Sequence, residues 1–162
     1  MFIVGEKIFY PLHGAGIVEG IQEKEILGEK ESYYIINMTL RNLQVMIPVG
    51  KTDHLEIREV VGLEILDDAI AMFQQGRESS STFSYQQRQR INTDKMKSGN
   101  IYEGVQVILD LMTLKSKKRL GLEDKTMLDT AKQMLISEIV VVKGIDKYEA
   151  AQLLNQTETT LM

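Results

Sequence analysis

The chain contains no cysteine and no tryptophan, and only two histidines and two prolines among its 162 residues. Without cysteine there is no disulfide, no thiol nucleophile and no thiolate metal site, a composition that suits the cytoplasm. His13 and His54 do not stand at any metal-ligand spacing such as HExxH, so both are expected as turn or surface residues. No apolar run approaches the roughly 20 residues of a membrane-spanning helix. The start, Met1 to Glu6, lacks the basic end and apolar core of a secretory leader. Gly14-Ala15-Gly16 resembles part of a phosphate loop, but a β-branched run follows it and no Gly-Lys-Ser/Thr is present. It reads as a tight turn between strands. The acidic group Glu23, Glu25, Glu29 and Glu31 lacks the calcium-loop pattern and reads as a solvated face. No enzyme activity, metal or cofactor is expected.

What is present is a charge asymmetry. The net charge is −4, yet residues 1–76 carry 6 Lys and Arg against 12 Asp and Glu, while residues 77–150 carry 13 against 10. Within 83–119 the count is 8 basic to 3 acidic. Two halves of opposite charge suggest two different partners.

The first half reads as strands. Lys7–Pro11, Ile17–Ile21, Tyr33–Met38, Leu43–Pro48 and Ile57–Val60 are short and rich in β-branched and aromatic residues, and Glu25–Lys30 supplies a glycine-containing hairpin connection. Five close-spaced strands predict a small, strongly bent barrel of the SH3 or Tudor kind. Leu43–Pro48 fits an open edge strand that a partner strand could extend, and fits an ordinary interior strand somewhat better. After Gly62 the period becomes helical: Leu63, Leu66, Ile70 and Phe73 share one face, and Gly76 is the stop. The polar segment 77–82 is the expected linker, giving units 1–76 and 83–157 and a tail 158–162.

The second half predicts helices only. Ser84 with Gln87 is a capping-box pattern opening a basic helix that ends at Gly99. Asn100 with Glu103 opens 101–114, Lys115–Gly121 is a basic connection, and 122–143 is the longest helix. Its stripe is Leu128, Ala131, Leu135, Ile139 and Val142; Gly144 stops it, and Asp146 caps a last short helix. The fold class is therefore α+β: a small N-terminal SH3/Tudor-like barrel followed by a compact all-helical domain. In the basic helix, Arg88, Arg90, Lys95 and Lys97 do not all share a face, and Tyr85 reads equally as a packing residue.

Four runs, in order along nearly the whole chain, resemble the CarD/CdnL family of bacterial transcription regulators. They are Val4-Gly5-Glu6 with Tyr10-Pro11-Leu12-His13-Gly14-Ala15-Gly16-Ile17-Val18-Glu19; Glu59-Val60-Val61-Gly62-Leu63-Glu64; Lys95-Met96-Lys97-Ser98-Gly99-Asn100; and Leu128-Asp129-Thr130-Ala131-Lys132-Gln133-Met134-Leu135. The resemblance implies a Tudor-like domain that binds the RNA polymerase β subunit and a helical domain that contacts promoter DNA. It implies a bacterial cytoplasmic protein, held near the nucleoid through polymerase, that stabilises the open complex. It further implies that an aromatic residue, typically Trp in the family, wedges into the minor groove at the upstream edge of the bubble.

That position falls on Tyr85, which buries less apolar surface than a Trp and whose hydroxyl needs a partner. The family's basic DNA contacts map onto Arg88, Arg90 and Lys125, with Lys95 added as a phosphate contact, while one family Arg becomes Gln87. On the polymerase side the resemblance implies Lys24 and the strand Leu43, Gln44, Val45, Met46 and Ile47, with Met46 standing where the family has a basic residue. The alternative is an interaction module whose helical half contacts a protein instead of DNA. Oligomeric state stays open, with a monomer as the expectation, and no membrane partner is expected.

Overall fold

A computed structural model describes residues 1–76 and 83–160, with side chains through Asn155. The expected linker 77–82 and the last two residues of the expected tail lie outside the described residues.

Five antiparallel strands come first: β1 (Lys7–Tyr10), β2 (Gly14–Ile26), β3 (Glu29–Met38), β4 (Leu43–Pro48) and β5 (Arg58–Glu59). Their order across the sheet is β4-β3-β2-β1-β5, so β4 and β5 are the two edges. A register shift between Val18 and Gly20 interrupts the β2–β3 ladder, and such a bulge bends a strand and increases its twist. Ile8, Val18, Tyr34, Ile36, Met38, Ile47 and Ile57 form the core of this unit. Beyond it, residues 21–32 continue as an exposed two-stranded arm. Leu27 and Gly28 close its tip, both with positive φ, as the favoured two-residue hairpin turns require.

The glycines at 14 and 16 do not make the expected turn. The turn is Pro11–His13, with Leu12 at φ 74°, and β2 has already begun at Gly14. These glycines answer to close approach instead: a Cβ on Gly14 would stand 2.8 Å from Ser137 Oγ, and one on Gly16 would stand 2.7 Å from the Asn37 carbonyl oxygen.

Five helices follow: α1 (Leu63–Gln75), α2 (Tyr85–Ser98), α3 (Ile101–Lys117), α4 (Leu122–Lys143) and α5 (Lys147–Thr160). Local chemistry sets most of their ends. Ser84 and Gln87 close a reciprocal capping box on α2. Gly76, Gly99 and Gly144 take left-handed conformations just past α1, α2 and α4. Asn100 accepts from the Tyr102 and Glu103 amides, but Glu103 turns to the Ser98 hydroxyl, so that box is not reciprocal. Helix α3 runs on to Lys117, taking in the start of the expected connection, and α5 extends through the first residues of the expected tail.

Helix α1 does not close the strand unit as a 1–76 domain would need. Its buried residues Leu66, Ala69, Ile70 and Phe73 join the helical core and pack toward α3, α4 and α5. An amphipathic stripe specifies burial and leaves the partner open, and here the helices supply it. Helix α4 is the spine of the molecule. From Met134 to Ile139 every residue is buried, and Val141 as well, because β1 and β2 cover the side that the other helices leave. Over the last third of α4 the expected single stripe thus widens to most of the circumference, while the first half stays one-sided.

Two polar fastenings hold the strands to this spine. The Ala15 amide donates to Ser137 Oγ at 2.8 Å, and the Ser137 hydroxyl in turn donates to the Met134 carbonyl. Arg58 of β5 pairs with Glu138 at 2.7 and 2.9 Å through two nitrogens, and gives its Nε to the Gly99 carbonyl at 2.7 Å. The Glu138 side chain is 1% exposed and accepts the Val61 amide as well.

Candidate nucleic-acid and polymerase interface

Strand β4 is bonded to β3 on one side and is an edge of the sheet on the other. Ile47 turns into the core and Val45 is half-buried, whereas Leu43 is 50% and Met46 37% exposed. Gln44 is held by Glu19, to which it donates at 2.7 Å. The strand can therefore offer main-chain groups along its free edge and apolar side chains beside them. Lys24 is elsewhere: it stands exposed on the β2–β3 arm opposite Glu31, beyond the last β3–β4 pair, Tyr33 with Pro48.

Tyr85 is the first residue of α2 and 48% exposed. Its hydroxyl donates to Glu123 in the first turn of α4, and the Arg88 guanidinium lies 5.4 Å from its ring centre. The hydrogen bond to Glu123, then desolvation, then the charges of Glu123 and Asp124 raise the phenol above its ordinary pKa, with Arg88 opposing.

The expected DNA-contacting cations do not converge. Arg88 is 7% exposed and bonded to the buried Asp124 at 2.9 Å, and Asp124 also accepts from Gln89. Its guanidinium is committed inside the protein, because exposing it to a phosphate would leave the buried Asp124 without its counter-ion. Arg88, Asn92 and Met96 form the inner face of α2. Arg90 is exposed and shares the outer face with Lys97, seven residues on. Lys95 is half-buried and lines a small recess with Phe9, Met96 and Gly99. Lys125 lies about 200° round α4 from Glu123 by helical spacing.

At Lys125 the structure shows what the sequence left unassigned. A cleft of about 660 Å³ is lined by Lys115, Lys117, Lys118, Arg119, Lys125 and Lys132, with Asp129 as its carboxylate. The basic connection signalled it, but Lys132 and Lys125 join only because α4 runs back past that connection. Six cations around one concavity focus a positive field that the overall charge of −4 conceals.

His13 is exposed in the turn after β1, 4.3 Å from the Tyr10 ring, with its pKa lowered by desolvation and by Arg41. Among the described residues no group of three or more His, Asp or Glu could hold a metal ion, and no helix is long and apolar enough to cross a membrane.

Residues 2–61 match the family described as the CarD-like/TRCF RID domain, and residues 68–155 match CarD, C-terminal domain. The second match begins inside α1, in accord with the packing of that helix. The chain is 48% identical over 145 residues to the putative transcription factor YdeB of Bacillus subtilis, an alignment covering 90% of this chain and 94% of that protein. A solution structure of the 72-residue N-terminal domain of Myxococcus xanthus CarD aligns with 36% of this chain and 79% of its own, at 29% identity and a TM-score of 0.32. The two family matches and the Bacillus subtilis relative define a transcription regulator of an RNA polymerase-interacting class. The chain belongs to the CarD family.

Proposed function

We propose that the chain docks on the polymerase β subunit through the free edge of β4, with Lys24 on the adjoining arm, and lays its helical body on promoter DNA at the upstream edge of the bubble. Tyr85 meets the minor groove there and favours the opened state. Lys125 and the other five cations of the cleft supply the main phosphate contacts, and Arg90 and Lys95 add weaker ones from α2. Arg88 acts from within, holding the start of α2.

The observation that carries this reading is the cationic cleft on an otherwise acidic chain. Its attraction is independent of sequence and weakens with salt, so free duplex is bound weakly, on the order of 10⁻⁴ to 10⁻⁶ M. Docking on polymerase makes the DNA step intramolecular, at an effective concentration of order millimolar. A ligand that binds the open complex better than the closed one shifts the population by that difference alone. Footprinting the bubble's upstream edge in the polymerase–promoter complex, with and without the protein, tests it. Extended protection upstream of the bubble is expected, and an unchanged footprint with polymerase bound would reject the DNA contact.

A second reading has the helical half contact a protein. It draws on the apolar groove of about 370 Å³ beside Glu123, with Leu12, Met96, Leu122 and Met127 in its walls. That reading predicts an unaltered footprint and loss of a protein contact on Leu122→Asp.

A further inference from the structure

Tyr85 stands where a resting place for its hydroxyl decides what it can do. A phenol pressed into a groove must keep its O–H paired or lose the water that satisfied it. The first turn of α4 provides the pairing, since Glu123 and Asp124 both belong to it and both reach the first turns of α2. Their tasks divide. Asp124 is buried and takes Arg88 and Gln89, which fixes the two helices together. Glu123 is exposed and takes the Tyr85 hydroxyl. A carboxylate at an exposed helix start is favoured by the helix dipole but repels any phosphate brought near it. Beside a DNA contact its charge is a cost, which the helix dipole and the bond to Tyr85 both offset.

We infer that Glu123 is the positioning residue of Tyr85: it accepts a hydrogen bond from the phenol O–H, fixes the ring at the start of α2, and lets the apolar part of the ring enter the opened groove with the hydroxyl already satisfied by the protein. This inference rests on the DNA reading given above. The raised pKa of Tyr85, with the Glu123 bond as its largest cause, agrees with the pairing in the free protein. Glu123→Gln keeps an acceptor and removes the charge, whereas Glu123→Ala removes both. Because Glu123 is exposed, neither change empties a core site.

The test is the lifetime of the open complex formed by bacterial RNA polymerase holoenzyme on promoter DNA, with the full-length chain carrying Tyr85→Ala, Tyr85→Phe, Glu123→Ala, Glu123→Gln or the Phe–Ala double change. Tyr85→Phe and Glu123→Ala should each shorten the lifetime by at least about tenfold, the lower end of the scale of one hydrogen bond to a charged group. The double variant should be no worse than either, and Glu123→Gln should recover most of the loss. In parallel, 3-fluorotyrosine at position 85 should titrate at lower pH in Glu123→Ala than in the parent protein.

If Tyr85→Ala shortens the lifetime while Tyr85→Phe and Glu123→Ala leave it unchanged, the positioning role is overturned and the DNA reading survives. A longer lifetime with Glu123→Ala also overturns it, since repulsion would then be the main effect of the carboxylate. If Tyr85→Ala itself has no effect, the DNA role of Tyr85 fails, and the inference with it.

Discussion

Arg58 reaches from the edge strand β5 to Glu138 near the C-terminal end of α4 and closes a two-nitrogen ion pair there, while its Nε holds the carbonyl of Gly99 at the end of α2. One side chain thus ties the sheet, the spine and the basic helix, with the Phe9 ring 4.3 Å beneath its guanidinium. Glu138→Ala should destabilise the full chain by about 3 kcal/mol, the lower end for removing one partner of a buried pair, because Arg58 keeps partial access to water. Urea unfolding checks it, and an unchanged midpoint would mean that the pair does not stabilise the join.

The contact of Ala15 with Ser137 gives a second, independent measure of that join. Ser137→Ala leaves the buried Ala15 amide without its acceptor and should cost about 1–3 kcal/mol. Gly14→Ala should cost more than a usual Gly→Ala change, since its φ is 101° and the new methyl would meet Ser137 Oγ. Combining it with Ser137→Ala should recover part of the loss, because the obstructing oxygen is gone. Strict additivity in the double-mutant cycle would argue against the clash.

Arg88 and Arg90 stand two residues apart and should behave oppositely. Arg88→Ala leaves Asp124 buried and unpaired and should lower stability by about 3–5 kcal/mol. Arg90→Ala, on the exposed face, should stay within about 0.5 kcal/mol in stability and weaken DNA crosslinking in the polymerase complex. Thermal unfolding and crosslinking of the same two proteins decide it.

The cleft should set the salt dependence of DNA binding. Each phosphate contact removed is expected to reduce the slope of log K against log salt by about 0.9. Lys117→Glu with Lys118→Glu should flatten that slope by about 2 on this basis, with the fold intact because both side chains are exposed. An unchanged slope would place the phosphate contacts on another face.

On the sheet, Met46→Glu puts a charge on a partly exposed position of the edge strand. Polymerase capture should fall at least tenfold, the scale of 1.4 kcal/mol, with the unfolding midpoint nearly unchanged. Retained capture would exclude this part of β4 from the interface.

Local chemistry made much of the fold legible. The Ser84–Gln87 box, the left-handed glycines at 76, 99 and 144, and the bounds of α4 depend on residues a few positions apart. The missed features are non-local. Gly14 and Gly16 looked like turn residues, because nothing near them in sequence shows that Ser137 and Asn37 crowd their α-carbons. The stripe on α1 announced burial but not against which unit. At the candidate site, Arg88 counted as a free cation because Asp124 lies 36 residues away, and Glu123 went unnoticed because its partner, Tyr85, is 38 residues away. The cleft was half visible as the run Lys115–Arg119, and needed the return of α4 to become a concavity.

The fastening of the sheet to α4 has one more consequence. With Arg58 and Ser137 both engaged, the sheet and the helical body are fastened to each other, so the span between the free edge of β4 and the start of α2 is set by packed contacts. Under the reading proposed above, the chain works as a ruler. It would touch DNA at a fixed distance from its seat on polymerase, whatever bases happen to lie there. Promoters would then differ in response through how their melting boundary falls against that mark, and loosening the join would blur the mark while leaving each separate grip intact.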